Sequence, residues 1–312
     1  MKGNVSLYVS IATLVILLGY ITYKESGVGK AAAVEAMSDN TTGLVPEIPT
    51  GFVAKPFRIP EKLDFAQEPV PLHINDVRER IDRELQINSY LHSSTLFIIK
   101  RANRWLPQIE KILKENGVPD DFKYLPLIES ALLNQTSPRE AVGFWQIMKD
   151  AGKAYGLEIT KQVDERYDPI KSTYAACKYL KDAHRKFGSW TLAAASYNRG
   201  MTGLQKAIDN QKVNSYYDLF LNDETSRYIF RLIAMKEIMQ NPLKYGFVLA
   251  EEELYTEEKI QYVEVKQSIK SLVDFSLSKG TNYKTLKRLN PWLREEDLTI
   301  KKGKSYKIAL PA

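Results

Sequence analysis

Glu129 lies in the apolar run Tyr124-Leu125-Pro126-Leu127-Ile128-Glu129-Ser130-Ala131-Leu132-Leu133, at the helical spacing that Leu125, Ile128 and Leu132 share. A carboxylate buried without a partner is costly, so such a residue is either neutralised by a cation or held protonated by a raised pKa. Held protonated near neutral pH, it is a proton donor. The alternative is a Glu at the edge of an amphipathic helix, paired with a Lys or turned to water.

Three further segments have compositions that packing alone does not require. Ser137-Pro138-Arg139-Glu140-Ala141-Val142-Gly143-Phe144-Trp145-Gln146-Ile147-Met148 sets a glycine, two aromatics and an uncharged amide in a row. Ala193-Ala194-Ala195-Ser196-Tyr197-Asn198-Arg199-Gly200 runs from small residues into Tyr-Asn and a glycine turn, and Glu224-Thr225-Ser226-Arg227-Tyr228 adds another tyrosine. Aromatic faces stack on sugar rings, and Gln, Asn and Tyr hydrogen-bond hydroxyl and N-acetyl groups, so together these segments describe a saccharide groove. Taken singly, each has a structural alternative: Phe144 and Trp145 as core, Asn198 with Gly200 as a helix C-cap, Tyr228 as an interhelical packer.

In this order, Glu-Ser, Ser-Pro…Gly-Phe-Trp-Gln-Ile-Met, Ser-Tyr-Asn-Arg-Gly and Glu-Thr…Arg-Tyr resemble the transglycosylase domain of the soluble lytic type, with a goose-lysozyme-like helical fold, over roughly residues 75–245. The resemblance implies Glu129 as the sole catalytic acid and base, with Gln146, Met148, Tyr197, Asn198 and Tyr228 along the groove and Ser137 near the glutamate. Two positions depart from the family pattern: Glu140 stands where glycine is usual, and Arg199 where alanine is usual.

The implied reaction cuts the β-1,4 bond between N-acetylmuramic acid and N-acetylglucosamine in peptidoglycan. Neutral Glu129 protonates the leaving oxygen, then takes the proton of the muramic acid C6 hydroxyl as it closes a 1,6-anhydro ring. The nucleophile belongs to the substrate, so the second carboxylate of ordinary glycosidases is dispensable, and intramolecular attack has a large effective molarity. Asn198 or Tyr228 would orient the N-acetyl carbonyl toward the developing cation. The competing expectations are a hydrolytic lysozyme-type muramidase and a non-catalytic peptidoglycan-binding scaffold.

The elements that must position these residues read as mainly α. Helices are expected over 74–86, 91–115, 143–155, 169–187, 191–198, 203–210, 216–221 and 224–239, with Phe97, Ile98, Ala102, Leu106, Ile109 and Leu113 on one face of the second. Gly117 reads as a stop signal, and Asp120 and Asp121 as caps for the helix carrying Glu129. The expected organisation is an N-terminal transmembrane helix at 1–23, an extended linker at 24–73, a helical extension at 74–117, the lysozyme-like catalytic domain at 118–245 and a small α+β unit at 255–312. In that last unit, strands near 261–265 and 305–310 flank helices at 268–279 and 283–289. It resembles a divergent LysM module, with a purely structural appendage as the alternative.

Val5–Tyr23 carries no charge and has about the length that crosses a hydrocarbon core of roughly 30 Å. An uncleaved anchor is expected, which puts the catalytic domain in the periplasm on the inner membrane; a cleaved signal would make it a secreted periplasmic protein. The formal charge of +6 suits an anionic partner, but Lys and Arg are scattered and no nucleic-acid module is visible. Cys177 is the single cysteine, which excludes an internal disulfide, and His73, His92 and His184 lack ligand spacing, so no metal or cofactor is expected. Peptidoglycan strands and, through the N-terminal helix, the membrane are the expected partners; no protein partner is indicated.

Overall fold

The computed structural model describes residues 55–312, and the expected anchor at 1–23 lies outside the described residues. Among the described residues no helix is long and apolar enough to cross a membrane. The body is mainly helical. Helix α1 (Asn75–Tyr90) leads into α2 (His92–Glu115), which buries Ile98, Ile99, Ala102, Leu106, Ile109, Ile112 and Leu113 on one stripe. Phe97, expected on that stripe, is 44% exposed beneath the Arg101 guanidinium, and Ile99 takes the inner place. Gly117 does stop the segment, with φ +65° and Val118 N–H returning to the Leu113 carbonyl.

A 3₁₀ turn (Asp120–Tyr124) enters the short helix α3 (Leu125–Ser130) that carries Glu129. The expected aspartate caps do not form. Asp121 Oδ2 accepts from Ala66 N–H at 2.6 Å and Lys236 Nζ at 2.7 Å, and Asp120 pairs with Lys123 at 2.6 Å. Cationic partners and a distant backbone amide outcompete the local N–H groups. The helix expected over 143–155 is reduced to α4 (Lys149–Ala154), because Val142 bridges Ile147 and positive φ at Gly143 and Gln146 bends the chain into a tight turn.

Helix α5 (Pro169–Phe187) is capped by Asp168 and ends at Gly188; α6 (Trp190–Arg199) is capped by Ser189 and runs up to Gly200. Then come α7 (Met201–Gln211), a single 3₁₀ turn (Tyr216–Asp218) where a helix to 221 was expected, and α8 (Asp223–Gln240). Helix α8 packs on α1, α3 and α6, and α5 packs on α2 and α6, so α8 and the 3₁₀ turn at Asp120–Tyr124 are what hold α3.

The end of the stretch expected as linker is packed onto this body. Phe57 sits 5.7 Å from the Tyr90 ring and 5.2 Å from that of Tyr245. The hairpin of β1 (Asp64–Phe65) and β2 (Glu68–Pro69) buries Phe65 against Phe122. Glu68 then caps α6 from outside, accepting Trp190 N–H at 2.6 Å, Thr191 N–H at 2.9 Å and Ser189 Oγ at 2.8 Å. Glu68→Ala is therefore expected to lower stability by about 1–2 kcal/mol, read as a fall in the urea midpoint with an unchanged slope.

After the body, β3 (Ile260–Val265) pairs antiparallel with β4 (Tyr306–Pro311), with Tyr262 opposite Ala309, and α9 (Leu272–Ser278) and α10 (Tyr283–Leu289) lie between them in sequence. This strand-helix-helix-strand unit has its own core of Leu272, Leu286, Leu293, Leu298 and Ile308. It docks on the segment before α5: Val163 bridges Leu293, Asp164 N–H donates to the Trp292 carbonyl at 2.9 Å, and Arg294 N–H to that of Gln162 at 2.8 Å.

Candidate active site

Pro126, in the first turn of α3, gives up only an amide that would lack a partner there. The helix stops after Ser130 because Ala131 and Leu132 both adopt the left-handed region, at φ +54° and +57°, with Leu132 N–H reaching the Pro126 carbonyl. Each such residue costs about 1–2 kcal/mol. Two guanidinium groups offset this by holding the helix-end carbonyls: Arg101 Nε bonds the Ala131 carbonyl at 2.6 Å and Arg231 Nη2 that of Ile128 at 2.9 Å. Ser130 Oγ ties the same end to the Phe144 carbonyl at 2.8 Å. The run 124–133, read from sequence as one helix, is thus cut one residue beyond Glu129.

Glu129 keeps some solvent exposure, yet desolvation of its carboxyl lifts the pKa from 4.5 to about 7, and the Glu224 charge adds to the rise. The Tyr228 hydroxyl, which donates to Oε1, and the Arg231 charge act in the opposite sense. Tyr228 is 1% exposed, and its phenol is held well above the usual range by desolvation and by Glu129. Tyr197 shares that fate, and its hydroxyl donates to the Trp145 carbonyl at 2.7 Å. Both phenols therefore remain neutral donors.

Asn198 is oriented through both ends of its amide: Oδ1 accepts from Thr225 Oγ1 at 2.8 Å and Nδ2 donates to Glu224 Oε1 at 3.1 Å. Gln146, at φ +46°, turns its amide back onto the Gly143 carbonyl at 2.9 Å and that of Gln135 at 3.2 Å. Gln146, Met148 and Tyr197 line one pocket, where Met148 is 48% exposed; Glu129 is not among its walls. Ser137 Oγ accepts Ala141 N–H at 3.0 Å and braces the turn that leads to Gln146.

Phe144 and Trp145 are not stacking platforms. Their rings are buried, Phe144 edge-on to Trp105 and Trp145 bonded through Nε1 to Thr173 Oγ1 at 2.8 Å, and what they present to the site are backbone carbonyls. Glu140 is exposed at φ +63°, a conformation glycine adopts freely, and Arg199 bonds Asn222 Oδ1 at 2.7 Å and the Gly203 carbonyl at 3.2 Å.

Sequence reasoning missed the arginines. Arg166 is 7% exposed, forks onto Asp164 at 3.0 and 2.7 Å, and bonds the carbonyls of Glu140 at 3.1 Å and Ile147 at 3.2 Å, clamping both ends of the Gln146 turn. Its own carbonyl would lie 2.0 Å from a Cβ at position 143, so only glycine fits there. Arg231 was detectable as the residue one turn beyond Tyr228 on the same helix face; Arg101 and Arg166 carry no such periodic signal. Among the described residues no group of three or more His, Cys, Asp or Glu is placed to hold a metal ion. Cys177 is buried in α5 with its thiol pushed up to about 12 by desolvation.

A short helix presenting one carboxyl with a raised pKa, bonded to the Tyr228 phenol, with the Tyr197 phenol and the oriented Asn198 amide on neighbouring elements, defines a site able to transfer a proton. Residues 107–220 match the family model for the Transglycosylase SLT domain, and residues 261–312 match that for the Soluble lytic transglycosylase C-terminal LysM-like domain. It is 34% identical over 176 residues to Membrane-bound lytic murein transglycosylase D of Escherichia coli strain K12, and equally to that of strain O6:H1. Each match covers 54% of this chain and 38% of the relative, so the chain spans well under two thirds of the curated relatives it matches. A protein of Alteromonas sp. (strain M-1) named for tributyltin chloride resistance is 32% identical over 125 residues, which is 39% of this chain and 60% of that protein.

Proposed function

We propose that this chain is a peptidoglycan lytic transglycosylase, cleaving between N-acetylmuramic acid and N-acetylglucosamine and leaving 1,6-anhydromuramic acid ends. The observation that carries the proposal is the single carboxyl of Glu129, held near neutrality by desolvation in contact with Tyr228. With Oε1 engaged by the phenol, the other oxygen is the one available to protonate the leaving oxygen and then to accept the C6 hydroxyl proton. The orientation of Asn198 by Thr225 and Glu224 supports a role for it in holding an N-acetyl group. Substrate-supplied attack at C1 then needs no second catalytic carboxylate.

Hydrolysis is the second reading, favoured by the nearness of Glu224, whose charge acts on Glu129. Glu224 is already bonded to Asn198 and lies 3.9 Å from Arg139 in an exposed pair, which suits positioning rather than activation of water. Digestion of purified sacculi with mass analysis of the products decides between them, because anhydro ends are one water lighter. Activity is expected to stay level below the Glu129 pKa of about 7 and to fall roughly tenfold per pH unit above it, as the acid form is lost. Tyr228→Phe removes the hydrogen bond that favours the carboxylate, so its pH midpoint moves upward; a midpoint that stays in place would show that another group titrates.

The match to a membrane-bound relative supports a cell-envelope location for this chain. We propose that Val5–Tyr23 anchors it with the catalytic domain in the periplasm, and that the C-terminal unit, through its LysM-like character, adds contact with the wall.

A further inference from the structure

A second cavity, of ≈ 950 Å³ counting its open mouth, lies where the C-terminal unit meets the helical body. Its walls come from both modules. Trp105 and Gln108 on α2, Asn134 and Asp168 face Tyr262 on β3 and Trp292 after α10. Its charged lining comprises three cations, Arg104, Arg288 and Lys307, and three acids, Asp168, Glu257 and Glu258. Most of these charges are satisfied within the wall: Arg288 bonds Glu258, Arg104 lies 3.8 Å from Glu258, and Glu257 accepts from Gln108 at 2.6 Å. A balanced wall has no net attraction for a polyanion, and three aromatic rings among amides are the chemistry that holds a neutral sugar.

Two details add to this. Asp168 uses Oδ1 to accept both α5 amides, from Ile170 at 2.9 Å and Lys171 at 3.1 Å, which leaves Oδ2 without a protein hydrogen bond among the described residues. Tyr262 is 58% exposed, so its ring is accessible at the cavity wall. The cavity also borders the candidate active site without sharing its groups. Asn134 precedes Gln135, whose carbonyl holds Gln146, and Trp105 packs edge-on at 5.1 Å against Phe144, whose carbonyl holds Ser130 next to Glu129.

We infer that this junction cavity binds an N-acetylated sugar ring of a glycan chain, with Tyr262 and Trp105 as stacking faces and Asn134 and Asp168 Oδ2 as hydrogen-bond partners. Resting on the peptidoglycan reading above, the site would hold the strand away from the bond being cut, and it would require both modules at once.

The test is calorimetric binding of a soluble β-1,4-linked N-acetylglucosamine oligomer to the full chain carrying Glu129→Gln, so that no cleavage intervenes. Adding Tyr262→Ala or Asn134→Ala, both at exposed positions, is expected to weaken binding about tenfold, the contribution of one aromatic or paired polar contact. Binding that is unchanged by both, or that is lost only with Asn198→Ala in the groove, would overturn the assignment. So would Tyr262-dependent binding of a sugar-free stem peptide in place of the oligomer. Because this readout is binding alone, it stands apart from sacculus digestion: failure to release anhydro products would sink the reaction and leave the sugar site standing or falling on its own titration.

Discussion

Glu129→Gln is expected to reduce release of anhydro-ended muropeptides from sacculi about 10³-fold, because in the proposed reaction one group performs both proton transfers and Gln can perform neither. Shape and hydrogen bonding are nearly retained, since the amide oxygen can still accept from the Tyr228 hydroxyl. The same variant is expected to be more stable than the parent in alkali. The folded carboxyl binds its proton more tightly than the unfolded one, at about 7 against 4.5. Its stabilising contribution is therefore complete below pH 4.5 and is lost as pH rises through about 7. Above that the buried carboxylate costs ~3 kcal/mol. Urea midpoints should separate parent and variant by about that energy at pH 8 and converge near pH 4.5. Equal midpoints at both pH values would mean that the carboxyl is not desolvated, and the proton-donor reading would go with it.

Arg166→Ala is expected to cost about 3–5 kcal/mol of stability, the range for removing one partner of a buried ion pair. Asp164 would be left as an uncompensated carboxylate, the Glu140 carbonyl would lose the guanidinium donor, and the Ile147 carbonyl would keep only the Val142 N–H. Activity should fall further than unfolding explains, because those carbonyls mark the two ends of the turn that presents Gln146 and, through the Trp145 carbonyl, holds the Tyr197 hydroxyl. Arg166→Lys retains the charge but not the planar fork, so an intermediate loss with a raised KM is expected at temperatures where the chain is fully folded. A urea midpoint for Arg166→Ala within error of the parent would contradict the clamp. Because Asp164 also donates its amide to the Trp292 carbonyl, the clamp connects the groove turn to the docked C-terminal unit.

Long elements with strong periodicity were legible. The apolar stripe of α2, the 169–187 span of α5, and the strand-helix-helix-strand order of the C-terminal unit all follow from local rules. Where expectation and structure part, a distant partner is responsible. Asp121 was read as a helix cap, but Lys236, 115 residues away, takes its carboxylate. Phe144 and Trp145 were read within a groove segment with core packing as the alternative, and the core took their rings while their carbonyls went to Ser130 and Tyr197. Residues 57–69 were read as linker from their prolines, yet Phe57, Phe65 and Glu68 pack against and cap helices from elsewhere in the chain.

Residue type and order alone established that an acid sits in an apolar helix, that Tyr-Asn and Gly-Phe-Trp-Gln segments accompany it, and that helices dominate. These are properties of local spacing and chemical inventory. The pKa of Glu129, its bond to Tyr228, the arginines that end its helix and the cavity between the C-terminal unit and the helical body arise only on folding. Each depends on desolvation or on partners tens of residues apart, and no periodicity in the chain encodes which distant groups will meet.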